Sequence, residues 1–270
     1  MIILATQQCA SRVILLGASN LSMELSTAVR MIGQALPGPI DYHIGDGFGR
    51  SYGGRSYFMY RELSGMLECD LWSDVGVLHE DDHLPMYAFI TDVGNDIAYE
   101  VEPGEIAKWI EECVDRLEAW GAKVMMTRLP MESLARLSNF HLSAARTILF
   151  PSCQLTAEEI RHRVNELDNK IIIISRDHGI SMVETDLSWY GLDPVHIRRR
   201  YWVEYWERII GGWVDCDDEL SSGRERLRAD PFLWCYLWTR WAKRRRVLGG
   251  LHERVQPSGR LSDGSTISMY

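Results

Sequence analysis

The chain reads as an α/β protein, a parallel sheet of five strands with helices on both faces. Three observations carry this reading. Short apolar runs alternate with stretches of helical spacing from residue 12 to residue 196. Most of the runs are continuously apolar instead of alternating with polar residues, as strands buried on both faces are. Glycine and Asx turns close several of them, where parallel strands hand over to helices.

The first strand spans 12–17 (Arg12-Val13-Ile14-Leu15-Leu16-Gly17), and Leu21 to Val29 opens a helical pattern over 21–36. A second strand is expected at 39–44 and a helical pattern at 54–67. The third strand covers 86–92. The helix at 103–120 carries the clearest signals: Pro103 near its start, Glu105 in the first turn and Gly121 just past its end. A fourth strand follows at 122–127, a helical pattern at 156–168, and a fifth strand at 170–175 with four isoleucines in a row.

Beyond about residue 196 the character changes. Six of the ten tryptophans lie there, at 202, 206, 213, 234, 238 and 241. Trp202/Trp206 and Trp234/Trp238/Trp241 fall at helical spacing, so each set shares one helix face. A helical layer packed on the sheet explains them, and an aromatic lid or a partner surface is the sharper alternative. Arg240 and the run Lys243 to Arg246 read as a solvated helix end. The chain is therefore expected to be one domain, 1–270, with a Trp-rich helical extension from about 205.

Composition excludes several classes. The 270 residues are 46% hydrophobic and 25% charged, with net charge −9. Nucleic acid as a general partner is disfavoured, because phosphate binding needs clustered cations. The six cysteines, at 9, 69, 113, 153, 216 and 235, are scattered. That pattern suits reduced thiols in the cytoplasm. The N-terminus lacks the basic region of a signal peptide, and no stretch approaches the length of a membrane span. No metal or cofactor is implied, and a homo-oligomer stays open.

Four motifs compete for the chemistry. His79-Glu80-Asp81-Asp82-His83 fits the H-E-x-x-H zinc pattern, but the segment is acidic and Pro85 follows, so a solvated loop is expected. Gly49-Arg50-Ser51-Tyr52-Gly53 fits G-x-S-x-G, but only two strands precede it and no oxyanion loop lies upstream. The dense glycines 45, 47, 49, 53 and 54 spell no phosphate-binding motif. The fourth is the turn Gly17-Ala18-Ser19-Asn20-Leu21 at the carboxyl end of the first strand, where open α/β sheets bind ligands. Gly94-Asn95-Asp96 closes the third strand, and Asp193-Pro194-Val195-His196 follows the fifth. Parallel strands expose these ends on one edge, so Ser19, Asn95 and the Asp193–His196 loop can converge. An Asp and a His three residues apart can hold the imidazole in one tautomer for a serine hydroxyl. An Asn amide suits a developing oxyanion. Singly, Ser19 could be a helix cap, Asn95 a turn residue and His196 a surface histidine.

Together these segments resemble the four blocks of the SGNH hydrolases, the GDSL-like lipase/esterase superfamily. Gly17-Ala18-Ser19-Asn20-Leu21 is similar to the first block, with Ser19 as nucleophile. Gly47-Phe48-Gly49-Arg50-Ser51 is similar to the second, with Gly49 as an oxyanion donor, Gly47 and Gly53 being alternatives. Gly94-Asn95-Asp96 is similar to the third, with Asn95 as side-chain donor, and Asp193-Pro194-Val195-His196 to the last. Ala18 stands where the family usually has an Asp that helps tie the blocks together. The resemblance implies a three-layer α/β/α sandwich with a flavodoxin-like strand order. It also implies an esterase acting on an O-acyl ester through Ser19, His196 and Asp193, with Ser19, Gly49 and Asn95 as the oxyanion hole. An O-acyltransferase using the same residues, an α/β-hydrolase variant using Ser51 and a non-catalytic binding module are the alternatives. The segment Leu129–Gln154, with Met131, Leu134, Leu137, Phe140 and Phe150, is a candidate wall for the acyl pocket.

Overall fold

Strand β1 (Ser11–Leu16) leads directly into helix α1 (Ser19–Ala35) and then β2 (Ile40–Gly45). A hairpin of β3 (Ser56–Phe58) and β4 (Arg61–Leu63) precedes α2 (Leu71–Asp81) and β5 (Met86–Ile90). There follow α3 (Pro103–Ala119), β6 (Lys123–Thr127), α4 (Met131–Arg136), α5 (Ala157–His178), β7 (Ser181–Val183) and α6 (Trp202–Trp213). The chain closes with β8 (Arg244–Val247), β9 (Gly250–Glu253), β10 (Gly259–Arg260) and β11 (Thr266–Met269). This computed structural model describes residues 9–58, 61–141, 143, 150, 152–191, 193–214 and 242–270.

Five parallel strands stand in the order β2-β1-β5-β6-β7. In chain order of those five this is 2-1-3-4-5, the flavodoxin-like doubly wound arrangement. Among the described residues the sheet continues past β2 with β11, parallel, and β10, antiparallel, to seven strands. A second, four-stranded sheet runs β3-β4-β8-β9.

Strand side chains alternate between two buried layers. Val13, Leu15, Phe89 and Met125 pack with α1 and α6, while Ile14, Leu16, Ile90 and Met126 pack with α2, α3 and α5. Apolar side chains are needed on both faces, which is why the strands read as continuous apolar runs. Trp206 and Trp213 on α6 are fully buried in the α1 layer. Trp234, Trp238 and Trp241 lie outside the described residues. No helix among the described residues is long and apolar enough to cross a membrane.

Four expectations are corrected. The isoleucine run 171–174 belongs to helix α5, and the fifth strand is the three-residue β7. Besides Ala157 in its first turn, helix α5 buries Val164, Leu167, Asp168, Ile171, Ile174 and Ser175, a helical stripe. A capping box at Thr156 and Glu159 and the left-handed Gly179 bound it. The 54–67 pattern is the β3–β4 hairpin, not a helix. Arg244 to Arg246 lie in strand β8 instead of a helix end. The 79–83 segment is not a loop throughout, since His79 sits in the last turn of α2, with its ring 5.6 Å from that of His83.

Candidate active site

The strands β2, β1, β5, β6 and β7 release their chains on one edge. Ser19 follows β1, the 46–50 loop follows β2, Asp92 to Asn95 follow β5, Arg128 follows β6, and Asp193 to Ile197 come after β7. The order reverses between β1 and β5, so the crevice opens there. Gly17 lets the two strand ends come together: a Cβ on it would sit 2.7 Å from Thr91 Cγ2 and 2.8 Å from Leu21 Cβ.

Three of the residues singled out from sequence meet. His196 Nε2 lies 2.8 Å from Ser19 Oγ, and His196 Nδ1 lies 2.6 Å from Asp193 Oδ2. A carboxylate can only accept, so Nδ1 carries the proton and Nε2 faces the serine as acceptor. Asp193 Oδ1 takes the amides of Val195 and His196, each at 3.1 Å, which folds the loop around the carboxylate. Burial works against a charged imidazole, yet the hydrogen bond and charge of Asp193, with Asp92 behind, raise the His196 pKa above its ordinary value. Partial burial alone would raise the Asp193 carboxyl, but His196 and the two amides bring it below.

Asn95 opens a short 3-10 turn after β5. Its Nδ2 is buried without a hydrogen-bond partner and it lines the same cavity as Ser19. An orphaned amide donor is a place where an anionic or carbonyl oxygen can sit. Gly49 has φ +65°, a conformation that favours glycine, and its carbonyl accepts from Tyr99 Oη at 2.6 Å. It lies on the same sheet edge but is not among the residues lining the cavity. Ser51 is buried, its Oγ accepting from the Gly54 amide at 2.8 Å.

The cavity holds about 180 Å³ and is walled by Ile97, Leu129, Leu134, Phe150, Ile160 and Val164 beside Ser19 and Asn95. Of the five apolar residues picked from the 129–154 segment, Leu134 and Phe150 reach it. Met131 packs into the core, and Phe140 is 78% exposed.

Two residues of the site were not found from sequence. Asp92, in a left-handed conformation at φ +60°, accepts the Ala18 amide at 2.7 Å and the Asn20 amide at 3.1 Å on Oδ2. It thereby caps α1, whose own N-cap residue Ala18 offers no side-chain acceptor. Asn20 joins this Asp to the histidine loop. The sequence signal for Asp92 is an Asp closing a strand, a residue type that tolerates left-handed backbone.

Neither a family model nor a curated protein sequence matches the chain. Solved structures do. Est24, a carbohydrate acetylesterase from Sinorhizobium meliloti, matches at TM-score 0.48 and 16% identity, covering 74% of this chain and 97% of its own. The M. smegmatis aryl esterase matches at TM-score 0.47 and 12% identity, covering 74% and 97%. TesA matches at TM-score 0.45 and 10% identity, covering 75% and 97%.

Proposed function

We propose that the protein is a serine esterase of the SGNH hydrolase type that cleaves O-acyl esters of small alcohols or sugars. The observation that carries this is the unbroken hydrogen-bond line Asp193–His196–Ser19, with Ser19 lining a mainly apolar cavity. In this reading Ser19 Oγ attacks the ester carbonyl while His196 Nε2 takes its proton. Asp193 stabilises the imidazolium and keeps the tautomer. The amides of Ser19 and Gly49 and Asn95 Nδ2 receive the oxyanion. His196 then protonates the departing alcohol, the acyl-serine forms, and water attacks it with His196 again as base. The apolar walls suit the acyl chain. The chain acts as one domain, since β11 is hydrogen-bonded into the sheet that β1 starts. Cytoplasmic residence rests on cysteine usage, with Cys9, Cys69, Cys113 and Cys153 as thiols.

The test is labelling by a fluorophosphonate, comparing wild type with Ser19→Ala, Ser51→Ala and His196→Ala. Label is expected on wild type and Ser51→Ala, and its survival in Ser19→Ala sinks the reading. A panel of p-nitrophenyl esters and acetylated sugars, with and without an alcohol acceptor, then separates hydrolysis from acyl transfer.

A further inference from the structure

We propose that Asn20 is a positioning residue that sets the distance between His196 and Ser19, by clamping the backbone on both sides of His196 to the serine turn. The proposal rests on the reading of Ser19 and His196 as nucleophile and base.

The geometry is a two-point clamp. Asn20 Oδ1 accepts the amide of Ile197 at 2.9 Å, and Asn20 Nδ2 donates to the carbonyl of Val195 at 2.9 Å. One carboxamide thus holds the peptide groups just before and just after His196, on a loop 177 residues away in sequence. Asp193 cannot do this. It binds His196 and the amides of its own loop, so it orients the ring without tying the loop to Ser19. On its far side the loop is fixed elsewhere, through Arg198 N to Trp189 O at 2.9 Å and Trp202 Nε1 to Ile197 O at 3.0 Å. The Ser19 side is held by Asn20.

The chemistry demands an amide here. The clamp needs a donor atom and a separate acceptor atom on one short side chain; an Asp carboxylate has no donor, Leu has neither, and Ser has a single oxygen for both roles. Asp92 fixes which way the amide points. Its Oδ1 accepts from Asn20 Nδ2 at 2.7 Å, so a flipped amide would put Oδ1 against a carboxylate and the Val195 carbonyl. Asp92 in turn is anchored by the amides of Ala18, Asn20 and Leu21. The linkage therefore runs from the α1 N-terminus through Asp92 and Asn20 to both flanks of His196. It supplies the tie between blocks that Ala18, with only a methyl group, cannot make.

The experiment compares wild type with Asn20→Ala in fluorophosphonate labelling, separating the maximal rate from the half-saturating concentration. Asn20→Asp, which keeps size and acceptor but loses the donor, replaces it if the truncated variant does not fold. A loss of about a hundredfold in maximal rate with unchanged half-saturation is expected, the scale of a displacement near 1 Å at a reacting pair. Crystal structures of both proteins are expected to show His196 Nε2 out of hydrogen-bond distance of Ser19 Oγ in the variant. A labelled wild type with a variant within twofold overturns the proposal and leaves the esterase reading standing. A wild type that does not label overturns that reading, and the variant crystal structure then decides the clamp: His196 still bonded to Ser19 overturns it.

Discussion

Asp92 accepts the backbone amide of Ala18 at 2.7 Å, so a residue at the end of β5 caps the helix that begins with Ser19. The same carboxylate takes the Asn20 and Leu21 amides at 3.1 and 3.3 Å. The turn that carries Ser19 is therefore held without an acidic side chain at position 18. Replacing Asp92 by Ala leaves these first-turn amides unmatched. The expected cost is about 2 kcal/mol in chemical denaturation, the range of a lost cap or of hydrogen bonds to a charged group. A loss under about 0.5 kcal/mol, smaller than these capping effects, argues against the cap.

The Asp193–His196 pair fixes a pH dependence. In the proposed mechanism the reactive imidazole is the neutral one, and the pKa of His196 is raised above the ordinary 6.5. Labelling of Ser19 is expected to rise with pH and reach half its plateau above 6.5. Asp193→Asn removes the charge and the tautomer control, so the half-point moves down and the plateau falls by roughly a factor of ten thousand. The sign for stability is opposite. A raised histidine pKa contributes stability below the unfolded value, and this is lost as pH rises through the folded one. A half-point unmoved by Asp193→Asn contradicts the assignment.

The parts of this molecule that sequence reveals are the locally encoded ones. Gly17 after Val13–Leu16 marks the β1–α1 turn because close strand approach needs a residue without a Cβ. Asp193 and His196 are three residues apart and bond each other, so their pairing is legible. Asn20 bonds across 177 residues and Asp92 across more than 70, and neither partnership leaves a local trace. The isoleucines 171–174 misled because β-branching outweighed the wider stripe from Val164 to Ser175 and the Thr156–Glu159 capping box, both visible in the sequence. The four-residue β11 is too short to announce itself and owes its place to pairing with β2.

Glu24, fully buried on α1 next to the site, gives a sharper contrast. Burial, followed by the charge of Asp92, pushes its carboxyl well above the usual range, while the Trp206 indole acts the other way. Burial thus favours the neutral acid form of this carboxyl. Glu24→Gln replaces it with a neutral side chain of the same size and is expected to change stability by less than about 1 kcal/mol. Glu24→Ala leaves a cavity and is expected to cost about 2 to 3 kcal/mol. If denaturation at pH 7 finds the Gln variant as damaged as the Ala variant, the carboxyl is ionised in the folded protein.

Asp96 ties the 51–52 segment to the Asn95 turn, with Oδ2 accepting the Tyr52 amide at 2.9 Å. Burial raises its pKa to about 6, with the Ser51 hydroxyl and the Tyr52 amide opposing. An acid whose folded pKa is raised binds its proton more tightly when folded, so it favours folding at low pH and opposes it above about 6. Asp96→Asn, neutral throughout, is expected to gain stability relative to wild type as pH rises from 5 to 8. Parallel denaturation curves for the two proteins at pH 5 and pH 8 read this out, and a constant difference between them rules it out.

The cavity wall makes the last prediction. Val164 of α5 and Leu134 of α4 face the space beside Ser19, which holds about 180 Å³. Val164→Phe adds a ring to that space and leaves the residues Ser19, His196 and Asn95 themselves unaltered. If the acyl chain lies there, hydrolysis of p-nitrophenyl octanoate falls more than tenfold while that of the acetate stays within about threefold. The loss corresponds to more than about 1.4 kcal/mol of binding in the transition state. Equal loss on both esters places the acyl chain elsewhere or shows that the ring has disturbed the machinery itself. The rate of fluorophosphonate labelling, which needs no long acyl chain, tells these two outcomes apart.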